Sequence, residues 1–229
     1  MKILEGIYRV DEASKNLAHS NVYLVINDGE LAVIDTGTAG NVKKIAAFIQ
    51  KLGYKLGGVT VIIITHFHVD HTGSAKQLKI LLPNAKIAVH EADAQYVSGE
   101  QPLPKPKNLF FRVASSFLNH EPFQADIQLK EGDTIAGLKV IHTPGHTPGS
   151  IALMDSKRRA LFVGDTLRFD GKIVTGAPER FTWDKNKAEE SIAKISALEF
   201  DVMLPGHGEP LEVGASEAVK KFYQGLKQA

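Results

Sequence analysis

Four groups able to bind a metal fall within six consecutive residues, His66-Phe67-His68-Val69-Asp70-His71. An extended chain alternates its side chains, so His66 and His68 can face one way while Asp70 and His71 leave in another direction at the turn. That pattern suggests two neighbouring ligand sets. Three further candidates stand downstream: His146 in Thr143-Pro144-Gly145-His146-Thr147-Pro148-Gly149, Asp165 in Phe162-Val163-Gly164-Asp165-Thr166, and His207 in Leu204-Pro205-Gly206-His207-Gly208. Each sits among glycine or proline, residues that turn the chain sharply and let backbone approach closely. A lone histidine is ordinarily a surface or satisfied core residue. Four such groups beside an apolar run are not explained by solvation. The chain has no cysteine, so a metal must be held by imidazole and carboxylate, donors that suit zinc and tolerate iron or manganese.

Ligands of this kind need rigid elements behind them. Val59-Thr60-Val61-Ile62-Ile63-Ile64 leads straight into the first cluster, and its β-branched run without polar alternation predicts a strand buried on both faces. Before it, residues 22–26 and 31–34 flank Asn27-Asp28-Gly29-Glu30, a hairpin signal. Apolar residues at Val42, Ile45, Phe48, Ile49 and Leu52 follow helical spacing and stop at Gly53. Helices are expected over 74–82 and 91–97, with a strand over 86–89 between them. Downstream, strands are expected over 138–141, 150–154, 160–163 and 201–204, and helices over 185–198 and 215–226. The second half therefore repeats the order of the first. Each downstream candidate lies just past an expected strand, where a strand can fix a loop while its end stays open.

Composition is that of a folded globular chain: 229 residues, 43% apolar and 23% charged. A formal net charge of +1 offers no overall field for nucleic acid or an anionic membrane. No run approaches the roughly 20 apolar residues of a membrane helix. The opening Met1-Lys2-Ile3-Leu4-Glu5-Gly6 does not read as a signal peptide, so a cytoplasmic location is the expectation.

Together the motifs resemble the metallo-β-lactamase fold superfamily, whose hallmark is a His-x-His-x-Asp-His run followed by a separated His, Asp and His. The Ile34-Asp35-Thr36-Gly37 turn after an early strand belongs to the same pattern, and the match runs in order through almost the whole chain. The resemblance implies an α/β (α+β) fold, a four-layer αββα sandwich with an internal pseudo-repeat, in one domain over 1–229. The site would lie along one edge of the two sheets. One metal would fall to His66, His68 and His146, the second to Asp70, His71 and His207, with Asp165 bridging them. Two divalent ions, zinc first with iron or manganese also suited, would acidify a shared water and polarise the substrate oxygen. Asp70 is then the catalytic candidate, orienting that water and accepting its proton. Asp35 would orient a ligand histidine from beneath or serve only as a turn or capping residue.

Within the superfamily the run Thr143 to Ser150 is most similar to the glyoxalase II-like (hydroxyacylglutathione hydrolase-like) hydrolases. That likeness implies a small acyl substrate with an ester, thioester or lactone bond, while the near-neutral charge argues against a nucleic-acid or membrane partner. The segment Thr166-Leu167-Arg168-Phe169-Asp170-Gly171 departs from the glyoxalase II pattern at the place after the bridging Asp, which leaves the leaving group open. Residues 98–124 read as an inserted, lid-like loop, with Pro102, Pro104 and Pro106 alternating. Its Phe110, Phe111 and Phe117 could line an acyl pocket, anchor the loop, or form a homodimer contact. Arg168, Phe169, Arg180 and Phe181 are assigned to another loop, with Arg168 a candidate for an anionic substrate group. His19 could reach the pocket rim, with a surface role favoured; His90 and His142 are expected to support a ligand or to pack rather than to bind metal, and His120 could touch substrate. The alternatives are a mononuclear iron sulfur dioxygenase-like enzyme, a small-molecule phosphodiesterase and a non-catalytic protein on the same fold.

Overall fold

The computed structural model describes residues 1–10, 20–103 and 121–228. One sheet carries seven strands in chain order: β1 (Lys2–Leu4), β2 (Ile7–Arg9), β3 (Tyr23–Asn27), β4 (Glu30–Ile34), β5 (Val59–Ile64), β6 (Lys86–His90) and β7 (Ile127–Leu129). A second carries five, β8 (Thr134–Ile135), β9 (Leu138–His142), β10 (Ile151–Asp155), β11 (Ala160–Gly164) and β14 (Val202–Pro205), ordered β14-β11-β10-β9-β8. Between the last two in sequence lies a separate hairpin, β12 (Leu167–Phe169) with β13 (Val174–Gly176). The helices are α1 (Val42–Lys51), α2 (Val69–Thr72), α3 (Ala75–Leu81), α4 (Glu91–Val97), α5 (Lys185–Ser196) and α6 (Ala215–Leu226).

The expected repeat is present as topology. In the first half β3 and β4 pair antiparallel, α1 follows, and β5 returns parallel to β4. In the second, β10 and β11 pair antiparallel, α5 follows, and β14 returns parallel to β11.

Strand alternation decides the layers, because successive side chains point to opposite faces. Tyr23, Val25, Val61 and Ile63 of the first sheet meet Leu138, Val140, Leu153 and Phe162 of the second in one buried cluster. Their neighbours Leu24, Ile62 and Ile64 face the other way, onto Ile45 and Ile49 of α1 and Leu78 of α3. Ala152, Leu161 and Met203 likewise pack on Ile192 and Ile195 of α5 and Val219 of α6. The result is the four-layer αββα sandwich. Strands β4, β5 and β6 are mutually parallel. Two antiparallel pairings through β10 make β9 run with β11, and β14 runs with β11 as well. Their C-terminal ends gather at one edge.

One local assignment changes. Arg168 and Phe169, expected in a loop, belong to strand β12, while Arg180 and Phe181 close a 3-10 turn over Glu179–Phe181. The hairpin exists because Leu167 and Val174 are buried against the second helical layer. Three residues are too few to display alternation in the sequence.

Candidate metal centre

All seven candidates converge on that edge. His66 and His68 leave β5, and Asp70 and His71 sit on the single turn of α2. His146 follows β9, Asp165 follows β11 and His207 follows β14. Three groups have their ligand atoms within 4.8 Å of one another: His66, His68 and His146; His66, His71 and Asp165; and Asp70, His71 and His207. Asp165 stands between the outer two groups. Its Oδ1 lies 3.3 Å from His71 Nε2, and its Oδ2 lies 3.6 Å from His146 Nε2 and 3.5 Å from His207 Nε2. His207 Nε2 is also 3.0 Å from Asp70 Oδ2.

Burial, with neighbouring imidazoles, holds His66 and His146 well below the ordinary histidine range, and burial brings His68 down to about 4. These three are therefore neutral, the state in which a ring nitrogen can bind a metal. Burial opposes the charge on His71 too, but the carboxylates of Asp35, Asp70 and Asp165 outweigh it and raise His71 well above its ordinary value. Burial would raise Asp70 and Asp165; nearby histidines, His71 first, instead hold both carboxyls below the usual carboxylate range. Among the buried ring nitrogens that make no hydrogen bond are His66 Nε2 and the His146 Nε2 that faces Asp165. Buried polar atoms are rarely left so. Neutral nitrogens and ionised carboxylates facing one another fit divalent cations.

The supporting contacts give the ligands their orientation. Asp35 Oδ2 lies 2.7 Å from His71 Nδ1, and Asp35 accepts from the Thr65 N–H at 2.8 Å and from the Thr65 hydroxyl at 2.8 Å. His66 Nδ1 lies 3.0 Å from that hydroxyl oxygen. Because the Thr65 proton goes to Asp35, the network assigns the His66 proton to Nδ1 and leaves Nε2 free. Asp35 thus orients a histidine and does not act as a helix cap. At the far end, the Asn21 side chain donates to the carbonyls of Pro205 and Gly208, each at 2.9 Å, and the Tyr23 hydroxyl donates to Pro205 O at 2.8 Å. These bonds dock the His207 loop onto the first sheet. Gly206 allows it: a Cβ there would stand 2.4 Å from Asp165 Oδ1 and 2.8 Å from His71 Cε1.

Asp93 was not among the residues singled out from sequence, yet it is fully buried at the start of α4 and accepts hydrogen bonds from two of the ligand-bearing loops, those of His66 and of His146. One acid in a helical segment carries no signal of that. Arg168 pairs with Asp165 rather than standing free. His90 and His142 stack with ring centroids 3.9 Å apart and stand outside the three groups. His19, His120, Phe110, Phe111 and Phe117 lie outside the described residues. A cavity of about 180 Å³ adjoins the centre, lined by His146, Thr166, Lys185, Ile192 and Phe222 among others.

The sequence model of the Metallo-beta-lactamase superfamily matches residues 16–207. The uncharacterized protein YobT of Bacillus subtilis (strain 168) is 30% identical over 218 residues, 91% of each chain. The hydroxyacylglutathione hydrolase of Francisella tularensis subsp. novicida (strain U112) is 31% identical over 167 residues, 71% of this chain and 53% of that one. Among solved structures, TTHA1623 in a di-iron-bound form superposes with a TM-score of 0.71 at 25% identity, covering 90% of this chain and 96% of the other.

Proposed function

Since the chain belongs to the metallo-beta-lactamase superfamily, we propose that it is a metal-dependent hydrolase cleaving an ester, thioester or lactone bond in a small acyl substrate. The observation that carries this reading is the convergence of seven ligand-type side chains with buried ring nitrogens that no protein group satisfies. His66, His68 and His146 would hold one divalent ion and Asp70, His71 and His207 a second, with Asp165 shared. Zinc is the first choice, and the di-iron form of TTHA1623 supports iron as the second. Ions held there supply the positive charge that acidifies water and polarises a carbonyl oxygen.

The chain's own residues do the rest. Asp70, only half-buried and held ionised by His71 and His207, is placed to orient the attacking water and take its proton as the new C–O bond forms. The same carboxyl returns that proton to the departing thiolate or alkoxide as the old C–S or C–O bond breaks. The cavity beside His146, with Ile192 and Phe222 on its wall, offers room for the acyl group. The Francisella relative is named a hydroxyacylglutathione hydrolase, which supports the acyl class. We read residues 1–229 as one domain; most of the insert over 98–124 lies outside the described residues.

The test is an assay of purified protein, its metal content measured in the same sample, against S-lactoylglutathione, an acyl-homoserine lactone and a phosphodiester. Hydrolysis of one acyl substrate with about two metal ions per chain is expected, and Asp70→Ala should lower turnover by roughly 100–10,000-fold when assayed with metal in excess. One iron per chain and no hydrolysis would overturn the proposal in favour of oxygen chemistry. Near-normal turnover in metal-replete Asp70→Ala would remove Asp70 from its role.

A further inference from the structure

Asp93 sits in the first turn of α4, directly after β6, and its side chain is fully buried. Among the described residues it forms no ion pair. Its partners are instead three donors on two separate loops. The Phe67 N–H, in the peptide joining His66 to Phe67, donates to Oδ2 at 3.0 Å. The Thr147 hydroxyl, one residue after His146, donates to the same oxygen at 2.7 Å, and the Gly149 N–H donates to Oδ1 at 2.6 Å. Thr147 can donate because its oxygen lies 2.8 Å from the Ser150 hydroxyl, which in turn accepts the Thr147 N–H at 2.9 Å. Ser150 O–H to Thr147, then Thr147 O–H to Asp93, uses each hydroxyl proton once.

The approach is close enough to dictate a residue. A Cβ on Gly149 would lie 2.6 Å from Asp93 Cγ and 2.6 Å from Asp93 N. The helix also grips Phe67 through Tyr96, whose ring lies 5.0 Å away. One carboxylate thus holds two loops that come from different sheets, each within a residue of a candidate ligand. Burial raises the Asp93 carboxyl to about 7 although all three donors pull it down, so the donors offset only part of the cost of burying it without a cation.

We propose that Asp93 is a positioning residue that sets the spacing between His66 and His68 on one loop and His146 on the other, and so sets the affinity of that three-histidine site for its metal. The proposal rests on the metal-centre reading above. Asp93 touches neither metal nor substrate in it. Asn at this position would keep one acceptor: with its oxygen at the Oδ2 place the Gly149 N–H meets an N–H₂, and with its oxygen at the Oδ1 place the Phe67 N–H and the Thr147 hydroxyl do, so either orientation sets a donor against a donor and loosens the join between the loops. The second site, built from Asp70, His71 and His207, has no bond to Asp93 and keeps its own supports from Asp35 and Asn21.

The experiment measures zinc affinity by chelator competition and zinc stoichiometry by elemental analysis on the full chain, for the unmodified protein and for Asp93→Asn, Thr147→Val and Thr147→Ser. Thermal unfolding of each metal-free protein is recorded beside them. Asp93→Asn should weaken one of two zinc sites by roughly 10–100-fold and leave the other near its original affinity. Thr147→Val should weaken the same site by less, and Thr147→Ser, which keeps the donor, should restore it. A lower unfolding temperature with both affinities unchanged would make Asp93 a packing residue and overturn the proposal. If Asp93→Asn does not fold, the Thr147 pair decides: equal zinc affinity in the Val and Ser variants overturns it. Unmodified protein that binds none of zinc, iron and manganese would instead overturn the metal-centre reading, and this proposal with it.

Discussion

Asp35 takes φ +58°, a left-handed backbone that Asp and Asn adopt more readily than other non-glycine residues. The conformation aims its carboxylate up at His71 Nδ1 and Thr65, beneath the ligands. Asp35→Asn therefore keeps the backbone but places an N–H₂ or a neutral oxygen where the carboxylate stood. With the amide nitrogen at the Oδ2 position, His71 must move its proton to Nε2, the atom a metal needs. Zinc affinity should fall by roughly 10–100-fold, read by chelator competition, with far-ultraviolet circular dichroism unchanged. An affinity within a factor of about two of the original would show that His71 needs no such support.

At the scale of elements, the junction of β6 and α4 contains a pH-sensitive contact. His90 caps α4 by accepting the Ala92 N–H and stacks on His142 from β9. Burial, then the neighbouring His142, brings His90 down from 6.5 to about 4, against the pull of the carboxylates of Glu91, Glu131 and Asp133. A base whose folded value lies below its unfolded one contributes stability that is complete above pH 6.5 and is lost as pH falls towards 4. Asn is also a good cap, so His90→Asn keeps the helix start while removing the titration. The fall in unfolding temperature between pH 7 and pH 4.5 should be smaller in the variant than in the unmodified protein. Equal falls would place the acid sensitivity elsewhere. Elements also account for what could be read in advance. The strand over 59–64, expected from its unbroken β-branched run, and the helix over 215–226 appear with those bounds. Strands β1, β2, β7, β8, β12 and β13 have three residues or fewer each, and they exist because a neighbouring strand supplies their hydrogen bonds.

Across the whole molecule, the candidate ligands come from both sheets. His66, His68, Asp70 and His71 follow the first, whereas His146, Asp165 and His207 follow the second. Metal bound at this edge would cross-link the halves and stabilise the folded chain by mass action. At a free metal concentration about 1,000 times the Kd, one site contributes about 4 kcal/mol. For a chain of this size that amounts to about 8–16 °C in unfolding temperature. Treatment with a chelator should produce a fall of that order by differential scanning calorimetry, and adding zinc back should reverse it. No change on chelation would mean that the edge holds no tightly bound ion.

The sequence by itself determined the ligand types and their order, because those depend on residue identity and on spacing along the chain, and the resemblance of those motifs to a known family supplied the fold. It also placed each candidate just past a strand. Tertiary structure alone decided the rest. Asp35 could be a cap or a support until His71, 36 residues away, was seen at 2.7 Å. Arg168 could be a free anion-binding group until its guanidinium was found on Asp165. Asp93 carried no signal at all, since its role lies in donors 26, 54 and 56 residues distant. A single side chain does not encode its long-range partners; they are set where two sheets meet, by packing that brings separate loops within hydrogen-bond reach.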